Sequence, residues 1–357
     1  YYRISFSPAG IESLTPFANN GEGPADLSVV GDKTSPRVGK FTHPSGAPDN
    51  HLLTVWSPGP VNHQNGLKKP APDGGLYVPE HWPVIEVDRL DPGEPFDRLA
   101  ARVIAPFLAG DRLESQLDSL SERAFDFPMP LVPLAGGSAV LELFHGPTAA
   151  FKDFGARFLA ACLARVGDRE SDPLTILVAT SGDTGGAVAA AFHGRPGVSV
   201  DVFYPAGQVS PRQELQLTCW GDNIRAFRVL GSFDDCQRLV KAVFQDTDLA
   251  GARHFSSANS INLGRLLPQM VYYAWSSLTL WKRSGKSASY IVPTGNLGNA
   301  LACVWARRAG MPIDRIHLAT NANRTIVDYM DDGEWRPRAS VTTLANAMDV
   351  GDPSNME

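Results

Sequence analysis

Lys152 is the side chain with the clearest capacity for covalent chemistry. It follows the turn His145-Gly146-Pro147-Thr148 and stands between Phe151 and Phe154. Apolar neighbours disfavour an ammonium group and free the amine to attack a carbonyl. The same spacing also suits a lysine at a helix start that runs along the surface, with Asp153 as an ordinary first-turn acid. His145 reads as support for the turn rather than as a catalytic group.

Three further segments carry donors for an anion. Thr180-Ser181-Gly182-Asp183-Thr184-Gly185-Gly186 follows an apolar run and leads into small residues. Hydroxyls and glycines at such a place allow close backbone approach to an anion, although Asp183 or Thr184 would equally serve as a helix cap. The run from Gly182 to Gly186 superficially matches a serine-protease motif, but threonine stands where the nucleophilic serine would be. Pro293-Thr294-Gly295-Asn296-Leu297-Gly298-Asn299 is a second loop able to form an anion nest. The nucleotide phosphate loop GxxxxGK[ST] is absent. In Ser257-Ala258-Asn259-Ser260-Ile261-Asn262-Leu263-Gly264-Arg265, Arg265 falls one to two turns into a helix. It suits bidentate grip of phosphate or carboxylate, or else a plain surface position.

The elements that must position these groups alternate strand and helix. The pattern predicts helical spacing over 95–125, with Leu99, Val103, Phe107 and Leu108 on one face. Strands are expected at 140–144, 175–179, 198–203, 224–229, 289–292 and 316–320. Helices are expected at 154–165, 185–192, 212–218, 233–244, 263–280 and 300–309. This rhythm implies a parallel α/β sheet with its ligands at the carboxyl ends of the strands. Residues 1–62 are irregular, with turns at 21–24 and 57–60. A turn at 72–75 and a short strand at 76–79 follow.

Composition narrows the function classes. Lys and Arg number 32 against 38 Asp and Glu, a net charge of −6 without a basic run, so nucleic acid is not the expected partner. Cys162, Cys219, Cys236 and Cys303 are too far apart for a CxxC zinc site or a disulfide framework, so no metal is expected. No apolar run reaches the roughly 18 residues of a membrane span. Reduced thiols suggest the cytoplasm.

The four motifs together resemble the threonine synthase family, whose lysine segment reads close to HGPT-x-x-FKDFG. The resemblance runs from about Pro72 and includes Leu344–Val350 (LANAMDV). It implies the α/β fold of fold type II pyridoxal-phosphate enzymes, which is tryptophan synthase β-like. Parallel and mixed twisted sheets with flanking helices would form two domains. On this expectation 63–130 is an N-terminal segment, 131–172 and 260–357 form the large cofactor domain, and 173–259 forms the small domain. Family members normally continue well past the position of Glu357, so the cofactor domain is expected to be incomplete. The cofactor implied is pyridoxal 5′-phosphate, carried by Lys152 and contacted by Phe151, Asp183, Gly295, Asn296, Leu297, Gly298 and Asn299. Ser181, Thr184, Asn259, Ser260 and Arg265 are implied to bind substrate. The implied reaction converts O-phospho-L-homoserine and water to L-threonine and phosphate, in a monomer or homodimer. The alternatives are a phospholyase that releases 2-oxobutyrate, or a non-catalytic fragment or paralogue.

Overall fold

The run Leu174-Thr175-Ile176-Leu177-Val178-Ala179 is buried at every position and forms the strand around which the centre of the chain is organised. The computed structural model describes residues 82–166, 173–246, 249, 254–260, 262–353 and 355. The expectations for residues 1–81 lie outside the described residues. In chain order the strands are β1 (Leu131–Pro133), β2 (Ala139–Leu141), β3 (Leu174–Ala179), β4 (Val198–Pro205), β5 (Ile224–Val229), β6 (His254–Ser257), β7 (Ala288–Pro293) and β8 (Ile313–Ala319). The helices are α1 (Phe96–Ile104), α2 (Leu117–Ala124), α3 (Lys152–Leu163), α4 (Asp183–Phe192), α5 (Pro211–Thr218), α6 (Phe233–Gln245), α7 (Leu263–Ser284), α8 (Gly298–Arg308) and α9 (Thr325–Asp332).

Four strands form one parallel sheet in the order β5-β4-β3-β6. Successive side chains of a strand point to opposite faces. Accordingly Ile176 and Val178 join the main core, while Leu177 and Ala179 pack with Phe233, Cys236, Val240 and Phe244 of α6. Both faces are covered, which is why β3 reads as an unbroken apolar run. Strands β7 and β8 form a separate parallel pair joined through α8. On β7, Val292 is buried whereas its neighbour Ile291 is 75% exposed, so one face of this pair lies open among the described residues.

Helix α7 is the central support, buried along most of its length and packed on α1, α3 and α8. Asn262 caps its start by accepting from Gly264 N at 2.8 Å, and Gly285 ends it in the left-handed conformation. The helix runs one turn past the expected end, because Lys282, Arg283 and Ser284 are all compatible with helix and Gly285 supplies the stop.

Two expectations change. The strand expected at 140–144 is only Ala139–Leu141, and it is antiparallel to β1 rather than part of a parallel sheet. Chain after Leu141 is committed instead to the turn that presents Lys152. The stretch 95–125 is broken into α1 and α2 by short 3-10 turns, beginning where Pro106 enters. Leu99, Val103, Phe107 and Leu108 are nevertheless all buried, as their spacing required. The short strands β1 and β6 and helix α9 had no distinct periodic signal.

Phe154 ties the first helices to the centre. Its ring meets Phe96, Phe127 and Tyr272 edge-on at 6.1, 4.7 and 5.2 Å between centroids. Phe154→Ala should cost about 3–5 kcal/mol, the range for emptying a buried aromatic site. Urea unfolding followed by circular dichroism would measure it.

Candidate active site

Lys152 opens α3, and the turn before it is held by unusual means. Ala149 has φ 55°, a left-handed conformation that costs a non-glycine residue about 1–2 kcal/mol. The buried Asp153 compensates: its carboxylate accepts from Thr148 N at 2.9 Å and Thr148 Oγ1 at 2.7 Å. Burial nevertheless raises the Asp153 pKa, with the Thr148 bonds opposing the rise. Asp153 is therefore the brace of the lysine turn, a role its sequence position did not reveal. His145 bonds Glu142 at 2.7 Å on the partly exposed side of the same turn, as expected of a supporting group.

The two phenylalanines beside Lys152 in sequence are not both beside it in space. Residues two apart on a helix point to different sides. Phe154 is in the core, whereas the ring of Phe151 lies 4.1 Å below the Lys152 ammonium. The opposite partner is Asp183, whose Oδ2 accepts from Lys152 Nζ at 2.8 Å.

Asp183 is the first residue of α4, but it does not cap the helix. Thr180 closes this turn: its buried Oγ1 accepts from Gly182 N at 3.0 Å and Gly185 N at 2.9 Å. Gly182 has φ 142°, and a Cβ there would come within 2.6 Å of the Gln213 amide. Asn259 joins β3 from the other side, donating to Ala179 O at 2.7 Å and accepting from Ala179 N at 3.2 Å. That pairing fixes the SAN segment against the end of the central strand.

Arg265 is 1% exposed, contrary to the surface alternative, and lies in the first turn of α7 rather than beyond it. Its Nη1 donates to Ala258 O, while its Nε is buried without a partner. Burial lowers its pKa to about 10, against the pull of Asp183 and Asp153. One turn on, buried Gln269 donates to Arg265 O at 2.9 Å and leaves its Oε1 unpaired.

The 294–299 loop enters α8 through Leu297, a second non-glycine residue with positive φ (63°), and no side chain caps that helix. The dipole and first-turn N–H groups of such a helix start favour an anion. At Gly295 a Cβ would sit 2.8 Å from the backbone of Met348. Met348 belongs to the segment 344–350, which bridges the two glycine turns. Asn346 donates to Ser181 O at 3.0 Å and Gln213 Oε1 at 2.7 Å. Asp349 holds the segment by accepting from Thr343 N and Oγ1 and from Asn321.

These turns line one open cleft. Lys152, Phe151, Ser181, Thr184, Asn259, Ser260, Arg265 and Gly295 through Asn299 all line it. Asp183 reaches it through its bond to Lys152. Phe233, Gln269, Met348 and Val350 also line it, and buried Asn355 bonds Ser260 Oγ at 3.0 Å and Asn296 O at 2.6 Å. Met348 and Val350 fall in the LANAMDV segment noted above, whereas Phe233, Gln269 and Asn355 did not stand out in sequence, because a lone Gln, Asn or apolar side chain has no motif of its own. Lys152 and Arg265 line the cleft, the lysine paired with the Asp183 carboxylate. The uncapped helix start, the unpaired Arg265 Nε and the adjacent amine fit a phosphorylated aldehyde such as pyridoxal phosphate.

A family model described as pyridoxal-phosphate dependent enzyme matches residues 126–357, and one described as threonine synthase N terminus matches 64–125. The chain belongs to the threonine synthase family of pyridoxal-phosphate dependent enzymes. It is 43% identical over 283 residues to threonine synthase of Serratia marcescens and 42% identical over 284 residues to that of Escherichia coli. Each match covers 79% of this chain and 66% of the relative, so the chain spans about two thirds of the length of these curated relatives. The crystal structure of the Escherichia coli enzyme superposes with TM-score 0.75 at 39% identity, covering 80% of this chain and 67% of that one. A structure of threonine synthase from Brucella melitensis with pyridoxal phosphate bound gives 0.71 at 36% identity, covering 80% and 63%.

Beside the cleft, α6 carries a strained carboxyl. Asp234 is pushed up to about 6, chiefly by burial and then by the charges of Asp352 and Asp235, and its Oδ1 has no partner. A raised folded-state value means that stability present below about pH 4 is lost as pH rises through about 6. Asp234→Asn should therefore raise the melting temperature at pH 7.5 and flatten its dependence between pH 4 and 6. Thermal melts across that range would check it.

Proposed function

We propose that this cleft is the active site of a threonine synthase, converting O-phospho-L-homoserine and water to L-threonine and phosphate. The observation that carries the reading is the cleft itself: a lysine amine held against the Asp183 carboxylate, with a buried arginine and an uncapped helix start beside it. Both the cofactor and the substrate carry phosphate, which the Arg265 guanidinium and the helix start suit.

In this reading Lys152 holds the cofactor covalently, Phe151 flanks it, and Asp183 faces its ring hydroxyl. Gly295, Asn296, Leu297, Gly298 and Asn299 form the cradle for its phosphate. Bound pyridoxal phosphate supplies an electron sink for carbanion charge on the substrate. Lys152 moves protons at the substrate's α carbon. Arg265, with Ser181, Thr184, Asn259 and Ser260, binds the substrate's anionic groups. Arg265 would steady the γ-phosphate as it departs with loss of a β proton; the γ carbon then gains a proton, and water adds its hydroxyl at the β carbon. Unpaired Cys162, Cys219, Cys236 and Cys303 suit a reducing compartment such as the cytoplasm.

The test is spectroscopic and chemical. The chain mixed with pyridoxal phosphate should gain an absorbance band at the edge of the visible that borohydride fixes irreversibly. Lys152→Ala should lack the band and lose threonine formation by at least about 100-fold, the lower end for a positioned acid–base. Release of 2-oxobutyrate instead of threonine from O-phosphohomoserine would replace this reading with a phospholyase. Absence of the band in the wild-type chain would remove it.

A further inference from the structure

Asn299 lines the cleft, yet its side-chain oxygen is turned away into α7. Two adjacent buried phenols donate to it: Tyr272 OH to Oδ1 at 2.5 Å and Tyr273 OH to the same atom at 2.8 Å. Burial holds both phenols well above their ordinary pKa, so each keeps the proton it donates. Neither hydroxyl has another acceptor among the described residues, so turning the amide over would strand two buried O–H groups. Asn299 is the second residue of α8. A doubly anchored side chain there fixes how the first turn of the helix sits on α7.

We propose that Tyr272 and Tyr273 are positioning residues that clamp Asn299 and thereby set the start of α8 as a phosphate cradle. The inference rests on the cradle assigned above to the cofactor phosphate. The hydrogen bonds of the clamp reach α8 and not Lys152 or Asp183, so their loss should tell on the phosphate before the ring. Tyr290 provides an internal comparison. It stacks edge-on with Tyr273 at 5.2 Å, but its hydroxyl pairs with Ser276 Oγ at 2.7 Å and does not touch Asn299.

The experiment compares dissociation constants of pyridoxal phosphate and pyridoxal on the full chain, by fluorescence titration. Wild type should prefer the phosphorylated form. Tyr272→Phe and Tyr273→Phe should each narrow that preference about fivefold, as expected for one net hydrogen bond. Their combination should narrow it further, with pyridoxal affinity unchanged. Tyr290→Phe should leave the preference as in wild type. If the double variant does not fold, the two single variants decide. Retained preference in the tyrosine variants, or equal narrowing in Tyr290→Phe, overturns the clamp while leaving the cradle. No preference in wild type would overturn the cradle, and the clamp with it.

Discussion

The contact between Lys152 and Asp183 sets the geometry of the whole site. It joins the first residue of α3 to the first residue of α4, and so requires two helices from distant parts of the chain to begin at one place. Everything around it serves that meeting. Asp153 braces the turn before Lys152, Thr180 closes the turn before Asp183, and Asn259 locks the end of β3 from the side. An amine held against a carboxylate at 2.8 Å is poised rather than consumed, since a ligand that takes the amine leaves the carboxylate free to accept a new donor.

The site concentrates backbone and solvation strain that the core tolerates. Among the described residues, two of the three non-glycine positions with positive φ, Ala149 and Leu297, lie in its turns. The unpaired Nε of Arg265 and Oε1 of Gln269 are buried on its floor. Such costs persist only where surrounding structure over-determines the conformation. Here α7 supplies that structure, carrying Arg265, Gln269, Tyr272 and Tyr273 on one rigid element.

Much of this was legible from residue types. The apolar run of β3, the 3.6-residue spacing of α7 and the Gly-rich turns marked most elements to within a turn, because side-chain periodicity follows directly from backbone geometry. The four motifs also named every side chain expected in the cleft. What failed had a common cause. Phe154 stands two residues from Lys152 in sequence but points into the core, and the spacing around Arg265 suited a surface place as well as the buried one it takes. Asp153 looked like a routine first-turn acid because its partner Thr148 is engaged only once the turn is folded.

The sequence by itself determined which groups could perform chemistry and the local turns that present them, since both depend on residue type and short spacing. The tertiary structure alone decided which groups meet. Asn346 reaches Ser181 across 165 residues and Asn355 reaches Ser260 across 95. The two phenols of α7 turn the Asn299 amide, and Lys152 finds Asp183 beneath the same cleft. Those pairings depend on how helices and strands are stacked in space, and no local pattern in the chain encodes a distance between segments so far apart.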